Sequence, residues 1–471
     1  MLAKGVAPNH KMQNAFHISE IVLSSRGRLE PVRPKPGQGR SGVLTLEDNS
    51  LLTAVGPGTP MGTLMRQFWL PALLESEVPA PDCDPVRLRL LGEDLVAFRD
   101  TGGRVGVIEP HCAHRCANLF FGRNEEGGLR CIFHGWKYDV DGNCLDMPSE
   151  PDGGAAIRHQ VRLKAYPSTI RGGIVWVYMG PPTVGAEPPE FEFVSLPARQ
   201  RTAIKRFLEC NWAQAVEGGL DSAHISYLHS RTDRQERSDS LRDVALNTWN
   251  ADRHPVFEIK PTRYGMLVGA RRNAGESRYY WRITQFLLPF YTMVPPRTES
   301  DSSVGAFYWG HAFVPIDDHH CWAWSLSANP WREYTDEELQ WNGSRSGFWG
   351  PLDEHFHPRR NKSNDYLIDR QQQRTVSYSG IEGFGDQDAC VQESMGPIVN
   401  RSREFLGNSD RAIVAFRRQL LAVVQSGSAL ELPKNGSWYS VRSASVILDR
   451  AQPFDIGAAA LLDAAARASA G

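Results

Sequence analysis

The sequence predicts an α+β fold, and three observations support this class. Hydrophobic and polar residues alternate in short segments over 80–180, β-rich sequence returns from about 255 to 326, and residues 335–425 follow mostly helical spacing. Strands and helices that are segregated along the chain, without a regular βαβ alternation, favour α+β over a parallel α/β fold. No internal repeat is present.

The composition is that of a globular protein large enough for two to four domains. The chain has 471 residues, of which 41% are hydrophobic, and 52 Lys+Arg against 54 Asp+Glu give a formal charge of −2. This balance argues against nucleic acid as a partner. Because no apolar run reaches the roughly 18 residues of a membrane helix, and no signal peptide is apparent, we expect a cytoplasmic protein without a membrane association.

The first ordered element is predicted at Thr45. Residues 24–43 are rich in Arg, Pro, Gly and Ser, which predicts a flexible N-terminal extension over 1–44. Thr45 can cap a helix, with Asp48 as the acidic member of a capping box. The strands predicted after this helix, from their alternation and their turn residues, cover 86–90, 95–98, 105–108, 136–140 and 174–179.

A Pro- and Gly-rich stretch at 180–193 is the predicted boundary between two domains, 45–185 and 186–471. A helical stretch is predicted at 205–230 in the second domain. β-rich sequence follows, including the apolar run 283–294, and Ile413, Phe416 and Leu420 then repeat at helical spacing.

Two Cys and two His form the most specific chemical motif of the chain. Cys112-x-His114 and Cys131-x-x-His134 lie in two tight loops of the predicted β module. Two thiolates and two imidazoles, divided equally between two loops, suit a [2Fe-2S] centre in which two His replace two Cys on one iron. With Gly135-Trp136 directly after the second His, this motif closely resembles the Rieske motif.

A structural zinc site is the alternative for these four residues, because a Cys₂His₂ set also satisfies tetrahedral Zn²⁺. Zinc fingers pair Cys with Cys and His with His, whereas each loop here holds one of each. The Rieske proteins of respiratory complexes carry an extra Cys pair, but Phe133 stands in one of those places. Cys116 therefore lacks a partner, and we interpret it as a small packed residue. The remaining cysteines are interpreted as buried thiols: Cys83, Cys144, Cys210, Cys321 and Cys390.

A second constellation reads Asp221-x-x-His224-x-x-x-x-His229. Asp221 and His224 share a helix face, but His229 would lie about 140° away from that face, so the helix must distort or end. Two imidazoles and one carboxylate form the facial triad that leaves positions open on Fe(II). Asn211 is predicted to cap this helix. Glu217 either supports the ligands from behind or serves only the helix end.

The two constellations together resemble the catalytic subunit of Rieske non-heme iron oxygenases, in particular the phthalate-dioxygenase-like branch. The resemblance covers about 46–425. Its supporting stretches are PGTPMG (57–62), GRNEEGGLRC (122–131), DMPSEP (146–151), VEGGLDSAH (216–224) and QDACVQESMGPI (387–398). It implies a small all-β Rieske [2Fe-2S] domain, followed by a catalytic domain in which helices cover an antiparallel sheet in a helix-grip-like arrangement.

The resemblance also implies roles for individual residues. His224 and His229 would bind a mononuclear Fe(II), and Asp221 would bridge His224 to His134 of a second copy of the chain. Such a bridge implies a head-to-tail ring, which we expect to be a homotrimer.

The third iron ligand is expected to be an acid far downstream. The candidates, among which spacing alone does not choose, are Asp365, Asp369, Asp386, Asp388 and Glu393. The family pattern of a ligand Asp followed five residues later by Glu is matched by Asp388 and Glu393, so the resemblance implies Asp388. His355 and His357 lie in a polar, Arg-rich stretch and are interpreted as solvated side chains.

We therefore expect a terminal oxygenase that uses O₂ and electrons from a separate NAD(P)H-dependent reductase, which can carry flavin and ferredoxin domains. No GxGxxG fingerprint follows a strand in this chain. The expected substrate is a small aromatic carboxylate, which would be dihydroxylated or O-demethylated. The run 279–296 could line its pocket or simply form sheet core. The candidate carboxylate-binding residues are Arg253, Arg271, Arg272 and Arg282.

Two alternatives stay open for the activity. The same chemistry could act as a monooxygenase on a small non-aromatic substrate such as an alcohol or an ether. From a different class, a Rieske electron-transfer protein without catalysis would need only the β module, and the long region 186–471 argues against it.

Overall fold

The protein is described here from a computed structural model that covers residues 20–23, 29–32, 43–181, 187–232, 248–249, 251–295, 308–426 and 441–454. It combines small antiparallel sheets in the N-terminal half with one large antiparallel sheet and several helices in the C-terminal half. The predicted α+β class is confirmed. No helix within these described ranges has the length and apolar character needed to cross a membrane.

Three small sheets build the N-terminal module, with strand orders β10-β9-β8-β7, β11-β6-β5-β4 and β12-β13-β3. The strands are β3 (Trp69–Leu74), β4 (Val86–Leu90), β5 (Glu93–Arg99), β6 (Val105–Ile108), β7 (Arg123–Glu125), β8 (Gly128–Arg130), β9 (Lys137–Tyr138), β10 (Cys144–Asp146), β11 (Ala165–Tyr166), β12 (Ser168–Arg171) and β13 (Ile174–Tyr178). The strands predicted in this region are therefore present. Phe98, Leu129 and Tyr138 belong to a buried cluster of the module that also contains Cys112 and Cys131.

The N-terminal extension differs from its prediction. A hairpin of β1 (Glu20–Leu23) and β2 (Leu29–Val32) lies inside the segment that was expected to be flexible throughout. Its strands pair in antiparallel register, with Glu20 opposite Val32. The rest of 1–42 lies outside the described residues, as do residues 182–186 of the predicted domain boundary.

One antiparallel sheet forms the frame of the C-terminal half, in the order β14-β20-β19-β18-β17-β16-β15, and β21 also pairs with β17. Its strands are β14 (Arg201–Leu208), β15 (Val256–Thr262), β16 (Gly265–Asn273), β17 (Arg278–Leu287), β18 (Tyr291–Met293), β19 (Tyr308–Pro315), β20 (Cys321–Ala328) and β21 (Ala444–Asp449). The predicted β-rich region is confirmed, whereas β21 was not anticipated.

Strand β14 corrects the helix predicted from residue 205. Lys205 and Arg206 are both buried, although they are consecutive and point to opposite faces of the strand. Lys205 forms an ion pair with Glu77, and Arg206 forms one with Asp386. Because both faces of β14 are buried and both carry a buried cation, the alternation that usually reveals a strand is absent.

The helices are α1 (Leu46–Thr53), α2 (Pro60–Met65), α3 (Glu192–Ser195), α4 (Trp212–Leu220), α5 (Asp336–Gly343), α6 (Arg370–Thr375), α7 (Phe384–Ser394) and α8 (Arg411–Ser426). Thr45 caps α1 as predicted, because its side chain accepts the N–H of Asp48 at 3.0 Å. Asn211 caps α4 in the same way, through the N–H of Ala213 at 3.0 Å. Helix α4 packs against β18, β19 and α7, so the end of α4 lies over the large sheet.

Candidate metal centres

Two loops of the N-terminal module share one backbone geometry. In the first loop, the N–H of Cys112 donates to Ala117 at 2.9 Å, and the N–H of Cys116 donates to the carbonyl of Cys112 at 2.9 Å. In the second loop, Cys131 donates to Trp136 at 2.8 Å and Gly135 donates to Cys131 at 3.0 Å. Each loop therefore presents one Cys and one His from the same kind of turn.

The matched turns correct the interpretation of Cys116. Cys116 has a φ of +57°, at the turn position that Gly135 fills with a φ of +81°. Its thiol is exposed, not packed. Of the other cysteines, Cys144, Cys210 and Cys321 are buried as expected, whereas Cys83 and Cys390 are only half-buried.

The four donors of these loops converge on one edge of the module. Cys112 and Cys131 are 2% and 3% exposed. The rings of His114 and His134 lie 4.4 Å apart, and His114 also stacks on Trp136 at 4.6 Å. Nδ1 of His114 is buried and has no hydrogen-bond partner, which is costly unless something binds it.

The donor types of these loops suit an iron–sulfur cluster. Two thiolates and two imidazoles from two matched turns fit a [2Fe-2S] cluster with two ligands on each iron. A tetrahedral Zn²⁺ takes the same donor types.

The sulfur of Cys112 also has a polar neighbour. The Tyr138 hydroxyl lies 3.2 Å from Cys112 Sγ and accepts the N–H of Ala113 at 3.2 Å. Burial raises the pKa of the Cys112 thiol above its ordinary value, and the neighbouring Cys131 thiol raises it further. A bound iron would reverse this preference, because a coordinating thiol is deprotonated.

The second constellation lies at the end of α4. The helix ends at Asp221, whose side chain accepts the N–H of Ala223 at 2.6 Å, and a short 3-10 helix then spans His224–Ser226. The predicted break in the helix is therefore present. It turns His224 and His229 toward each other, with ring centroids 5.1 Å apart.

Helix α7 supplies the carboxylate that meets these histidines. Asp388 Oδ1 lies 3.1 Å from His229 Nε2 and 3.6 Å from His224 Nε2. Asp221 Oδ2 lies 3.6 Å from Nδ1 of His224, on the other side of that ring. Two imidazoles and one carboxylate thus converge from one side, which is the donor set that Fe(II) takes in a facial triad.

The charges in this set favour a cation. Burial raises the pKa of Asp388, but His229 and His224 outweigh burial, so that the pKa lies below its ordinary value. Burial likewise lowers the pKa of His224, and Asp221 and Asp388 more than reverse this effect. The Asp388 carboxylate is therefore ionised at neutral pH.

The competing acids have other partners. Asp386 binds Arg206 at 2.6 Å and Arg360 at 3.3 Å on the buried side of α7. Glu393 accepts the Tyr366 hydroxyl and the N–H of Glu209. Asp369 caps α6, and Asp365 is exposed. The structure brings Asp388 alone of these five acids to the histidines.

Glu217 is neither a support behind the ligands nor a helix-end residue. Its carboxylate accepts Nε of Arg401 at 3.0 Å and Nε of Arg417 at 2.8 Å. Burial raises its pKa, but the two guanidinium groups lower it below the ordinary value. Glu217 therefore ties α4 to α8 and to the segment that precedes α8.

Two glycines let α4 approach its neighbours closely. A Cβ at Gly218 would lie 2.3 Å from Nε2 of Gln392 on α7, and a Cβ at Gly219 would lie 2.6 Å from Oγ1 of Thr292 on β18. The last turn of α4 thus lies between the sheet and α7.

The four candidate arginines are placed differently. Arg253 lies over Tyr227 and Arg271 over Tyr279, as cations against rings. Arg272 and Arg282 are buried, and burial lowers the pKa of Arg272 to about 10.

Arg282 has the least satisfied guanidinium group near the histidines. Its Nε and Nη1 are buried without hydrogen-bond partners, and its charge acts on His224. Arg282 projects from the face of β17 that also carries Tyr280, and it lies 5.0 Å from the ring centroid of Trp249. On the opposite face, Trp281 and Ile283 pack into sheet core. Within 279–295, Trp281 and Ile283 therefore form sheet core, and Arg282 faces the opposite side of β17.

Several residues of this site gave no sequence signal. His311 is buried on β19, its Nδ1 donates to the carbonyl of Trp324 at 3.3 Å, and burial lowers its pKa to about 4. Gln387 contacts His229, and Phe384 packs on the His229 ring at 4.8 Å. Of these residues, only His311 had a feature that could be recognised in the sequence, which is a polar side chain within an apolar strand. His355 is exposed, as predicted, and His357, also exposed, stacks on Phe207 at 4.4 Å.

Comparison with known proteins decides between the alternatives. Residues 68–167 match the Rieske [2Fe-2S] domain, and residues 177–434 match the LigXa C-terminal domain. The chain belongs to the Rieske oxygenases. The Rieske match favours the iron–sulfur cluster over zinc. The catalytic-domain match excludes an electron carrier that consists of the β module alone.

Curated relatives of this Rieske oxygenase cover most of its length. The phthalate 4,5-dioxygenase oxygenase subunit of Pseudomonas putida is 40% identical, over 82% of this chain and 88% of the relative. The 3-chlorobenzoate-3,4-dioxygenase oxygenase subunit of Comamonas testosteroni is 36% identical, over 81% and 89%. The tert-butanol monooxygenase / tert-amyl alcohol desaturase oxygenase subunit of Aquincola tertiaricarbonis is 33% identical, over 79% and 75%.

The fold agrees with solved structures of the same class. Dicamba monooxygenase bound to 3,6-dichlorosalicylic acid aligns with a TM-score of 0.54 at 18% identity, over 78% of this chain and 99% of that chain. The protein is thus an oxidoreductase of the Rieske oxygenase class, and this family combines a Rieske [2Fe-2S] cluster with mononuclear iron at the catalytic site.

Proposed function

We propose that this chain is the terminal oxygenase of an aromatic-carboxylate oxygenase system. Its iron would be held by His224, His229 and Asp388, and its Rieske cluster by Cys112, His114, Cys131 and His134. The observation that carries the proposal is the convergence of the three iron donors within 4.8 Å, beside the unpaired donors of Arg282. When bound, the mononuclear iron supplies the activation of O₂, and the Rieske cluster supplies stored electrons.

The arginines near the iron donors support a carboxylate substrate. Arg272 uses Nη2 and Nε on the carbonyls of Ser222 and Asp252, which leaves its buried Nη1 without a partner. Arg282 contributes two more buried N–H donors without a hydrogen-bond partner, Nε and Nη1. Such unsatisfied guanidinium donors are costly, and a substrate carboxylate would accept charged hydrogen bonds from them. This interaction would orient the aromatic ring against Trp249.

Two further residues would keep the surroundings of the iron donors apolar and low in charge. His311 is neutral at physiological pH, because burial lowers its pKa to about 4. The Phe384 ring covers one side of His229. These residues would hold the substrate next to the open side of the facial triad without competing for the metal.

We further infer a head-to-tail homotrimer. Within one chain, the ring contacts of His134 are with His114 and Phe133, and Asp221 pairs with His224. The side chain of Asp221 is 31% exposed. Its carboxylate would accept an N–H from His134 of a second copy and so join the two kinds of centre.

Exposed apolar side chains on both surfaces support this assembly. Ile132 and Phe133, beside His134, are 64% and 53% exposed. On the catalytic side, the exposed apolar or aromatic residues are Tyr227, Tyr378, Val391 and Met395. Apolar patches of this kind are typical of surfaces that another protein covers. The description of the relatives as oxygenase subunits supports a separate electron donor. We propose that this donor is an NAD(P)H-dependent reductase, which can carry flavin and ferredoxin domains.

Substitution of Arg282 tests the substrate class. With a surrogate reductase, phthalate and benzoate as probes should be oxidised, and ¹⁸O₂ should label the products. Arg282→Leu should raise KM for the carboxylate probe by roughly 10- to 100-fold, since charged hydrogen bonds contribute about 1.5–3 kcal/mol. Arg271→Leu is the matched control, because the neighbouring Arg271 lies against Tyr279 and should leave KM unchanged.

The substrate proposal fails if wild-type protein oxidises neutral alcohols or ethers but neither carboxylate. It also fails if Arg282→Leu leaves KM for an accepted carboxylate unchanged. The product masses then distinguish monooxygenation from dioxygenation.

A further inference from the structure

The two iron-binding histidines are held by different chemistry. Nδ1 of His224 faces the carboxylate of Asp221 at 3.6 Å. Nδ1 of His229 instead lies 2.6 Å from the amide oxygen of Gln387, the residue directly before Asp388. We propose that Gln387 is the positioning residue of His229, which fixes its tautomer and its ring plane for the metal. This inference rests on the proposed iron site.

The orientation of the Gln387 amide follows from its second contact. Its Nε2 donates to the backbone carbonyl of Ile381 at 2.7 Å. A carbonyl only accepts, so the NH₂ group must face Ile381, and the amide oxygen must face His229. The reversed amide would place two oxygens against each other at Ile381, which excludes it.

The amide orientation in turn decides the histidine tautomer. An amide oxygen has no proton to give, so Nδ1 of His229 must carry the hydrogen of this bond. The lone pair of the neutral ring is then on Nε2, which lies 3.1 Å from Asp388 Oδ1. Only this tautomer offers Nε2 to a metal.

One turn of α7 surrounds the His229 ring. Phe384 packs on the ring, Gln387 accepts Nδ1–H, and Asp388 faces Nε2. These three residues follow the i, i+3, i+4 spacing of one helix face. The His229 side chain is only 6% exposed, so water has little access to replace the amide.

The neutrality of Gln387 distinguishes the two histidines. His224 would share the negative charge of Asp221, whereas His229 has a neutral acceptor. A carboxylate therefore lies behind His224 only. The Asp221 side chain is half-buried, whereas the His229 side chain beside Gln387 is only 6% exposed.

Metal binding by the full-length chain, with the Rieske cluster intact, tests the proposal. The mononuclear site is emptied and titrated with Co(II). Gln387→Leu removes the acceptor and should weaken Co(II) binding by roughly 10- to 100-fold. Gln387→Glu keeps an oxygen acceptor for Nδ1 of His229, but its second oxygen must be protonated to face the Ile381 carbonyl, so this variant should bind Co(II) more weakly than wild type and more tightly than Gln387→Leu.

The NMR resonances of the imidazole N–H protons report on the hydrogen bond at Nδ1. They would stay unchanged if Gln387 only stabilised the fold. In proton NMR of the Co(II) form, with the Zn(II) form subtracted, Gln387→Leu should shift or broaden one exchangeable imidazole resonance and leave that of His224 unchanged. Asp221→Asn should affect the His224 resonance instead. Gln285→Leu is the matched control, because buried Gln285 also donates to a carbonyl, of Arg442, and accepts a hydroxyl, of Tyr264, away from the histidines.

Each outcome decides one claim. Equal losses in Gln387→Leu and Gln387→Glu would show that the amide serves only Ile381, and unchanged Co(II) binding and N–H resonances in Gln387→Leu would show that it does not hold His229. Either result overturns this inference. If His229→Ala and Asp388→Ala both bind Co(II) with wild-type affinity, the proposed iron site is overturned instead.

Discussion

The two metal centres of this oxygenase are built in opposite ways. The proposed donors of the Rieske site come from two short turns within residues 112–134, and both turns have the same backbone hydrogen bonds. The proposed donors of the mononuclear site come from a broken helix end at His224 and His229 and from Asp388 on a helix much farther along the chain. The first site therefore depends on local turn geometry, and the second on how α4, α7 and the sheet pack together.

Removal of the Asp388 carboxylate should have the largest effect, because it should abolish one centre and leave the other intact. We expect Asp388→Ala to lose the mononuclear iron and all measurable turnover, because the third donor is gone. The Rieske EPR signal after one-electron reduction should remain, since its turns lie in another sheet system. Iron analysis together with EPR measures both centres in one sample.

Asp386→Asn is the control for this variant, because Asp386 is two residues away and faces Arg206. It should keep the iron stoichiometry and lose stability. Loss of iron in Asp386→Asn with retention in Asp388→Ala would contradict the assignment.

Asp221→Asn should separate the two centres without removing either. Both metals should stay bound, but turnover should fall by roughly 100-fold, because an amide cannot accept two imidazole N–H bonds as a carboxylate does. Stopped-flow reduction of the Rieske centre by a chemical donor should stay fast, while its reoxidation by O₂ slows.

Mixing of two inactive variants checks the route between subunits. Asp221→Asn chains combined with His134→Cys chains should recover some activity, because some interfaces then pair an intact His134 with an intact Asp221. Absence of recovery in verified mixed trimers would contradict the bridge between subunits, and failure to find any trimer would contradict the homotrimer.

Glu217→Gln should show that the mononuclear site depends on distant packing. Removing the carboxylate leaves the buried Arg401 without its acidic partner, whereas Arg417 keeps Glu404, and this should lower the free energy of unfolding by about 3 kcal/mol. Because the folded pKa of Glu217 is lowered, its contribution is present above the ordinary glutamate pKa of about 4.3 and is lost as the pH falls through the folded value.

Urea unfolding monitored by tryptophan fluorescence would measure this difference. It should be full near neutral pH and shrink in acid. A difference between wild type and Glu217→Gln that is constant across this range would show that folding does not shift the pKa of Glu217.

Tyr138→Phe should have the smallest effect. It tests how local contacts set the reduction potential of the Rieske centre. The variant removes only the hydroxyl that lies 3.2 Å from Cys112 Sγ. A hydrogen bond worth about 1 kcal/mol corresponds to roughly 40 mV for one electron, so the Rieske potential should fall by about that amount. Redox titration would detect this shift, and the mononuclear iron content should not change.

The difference between the centres also explains what the sequence could predict. The Rieske candidates are recognisable from their spacing in the sequence, because each Cys and His pair lies within one turn. The pairs are Cys112 with His114 and Cys131 with His134. Asp386 and Asp388 look alike in sequence, yet they lie about 200° apart around α7, so that one meets Arg206 and the other meets the histidines. Only the family resemblance could choose between them.

Burial of charge accounts for most of the other differences. Strand β14 was mistaken for helix because Lys205 and Arg206 are buried by partners distant in sequence. Neighbouring Arg271 and Arg272 point to opposite faces of β16, so composition could not say which one is buried. Gln387 gave no signal, since its role depends on where His229 and Ile381 lie in space.

The two glycines at the end of α4 have a consequence for how this enzyme can evolve. Any side chain at Gly219 would meet Oγ1 of Thr292, a stiff β-branched residue on a strand, whereas at Gly218 it would meet the flexible end of Gln392. In a saturation scan of this segment, we therefore expect position 219 to accept almost nothing and position 218 to accept alanine or serine at a cost. Other residues near the iron donors should tolerate substitution more readily than residue 219. The reason is that α4, which ends at Asp221, keeps its position only while residue 219 has no side chain.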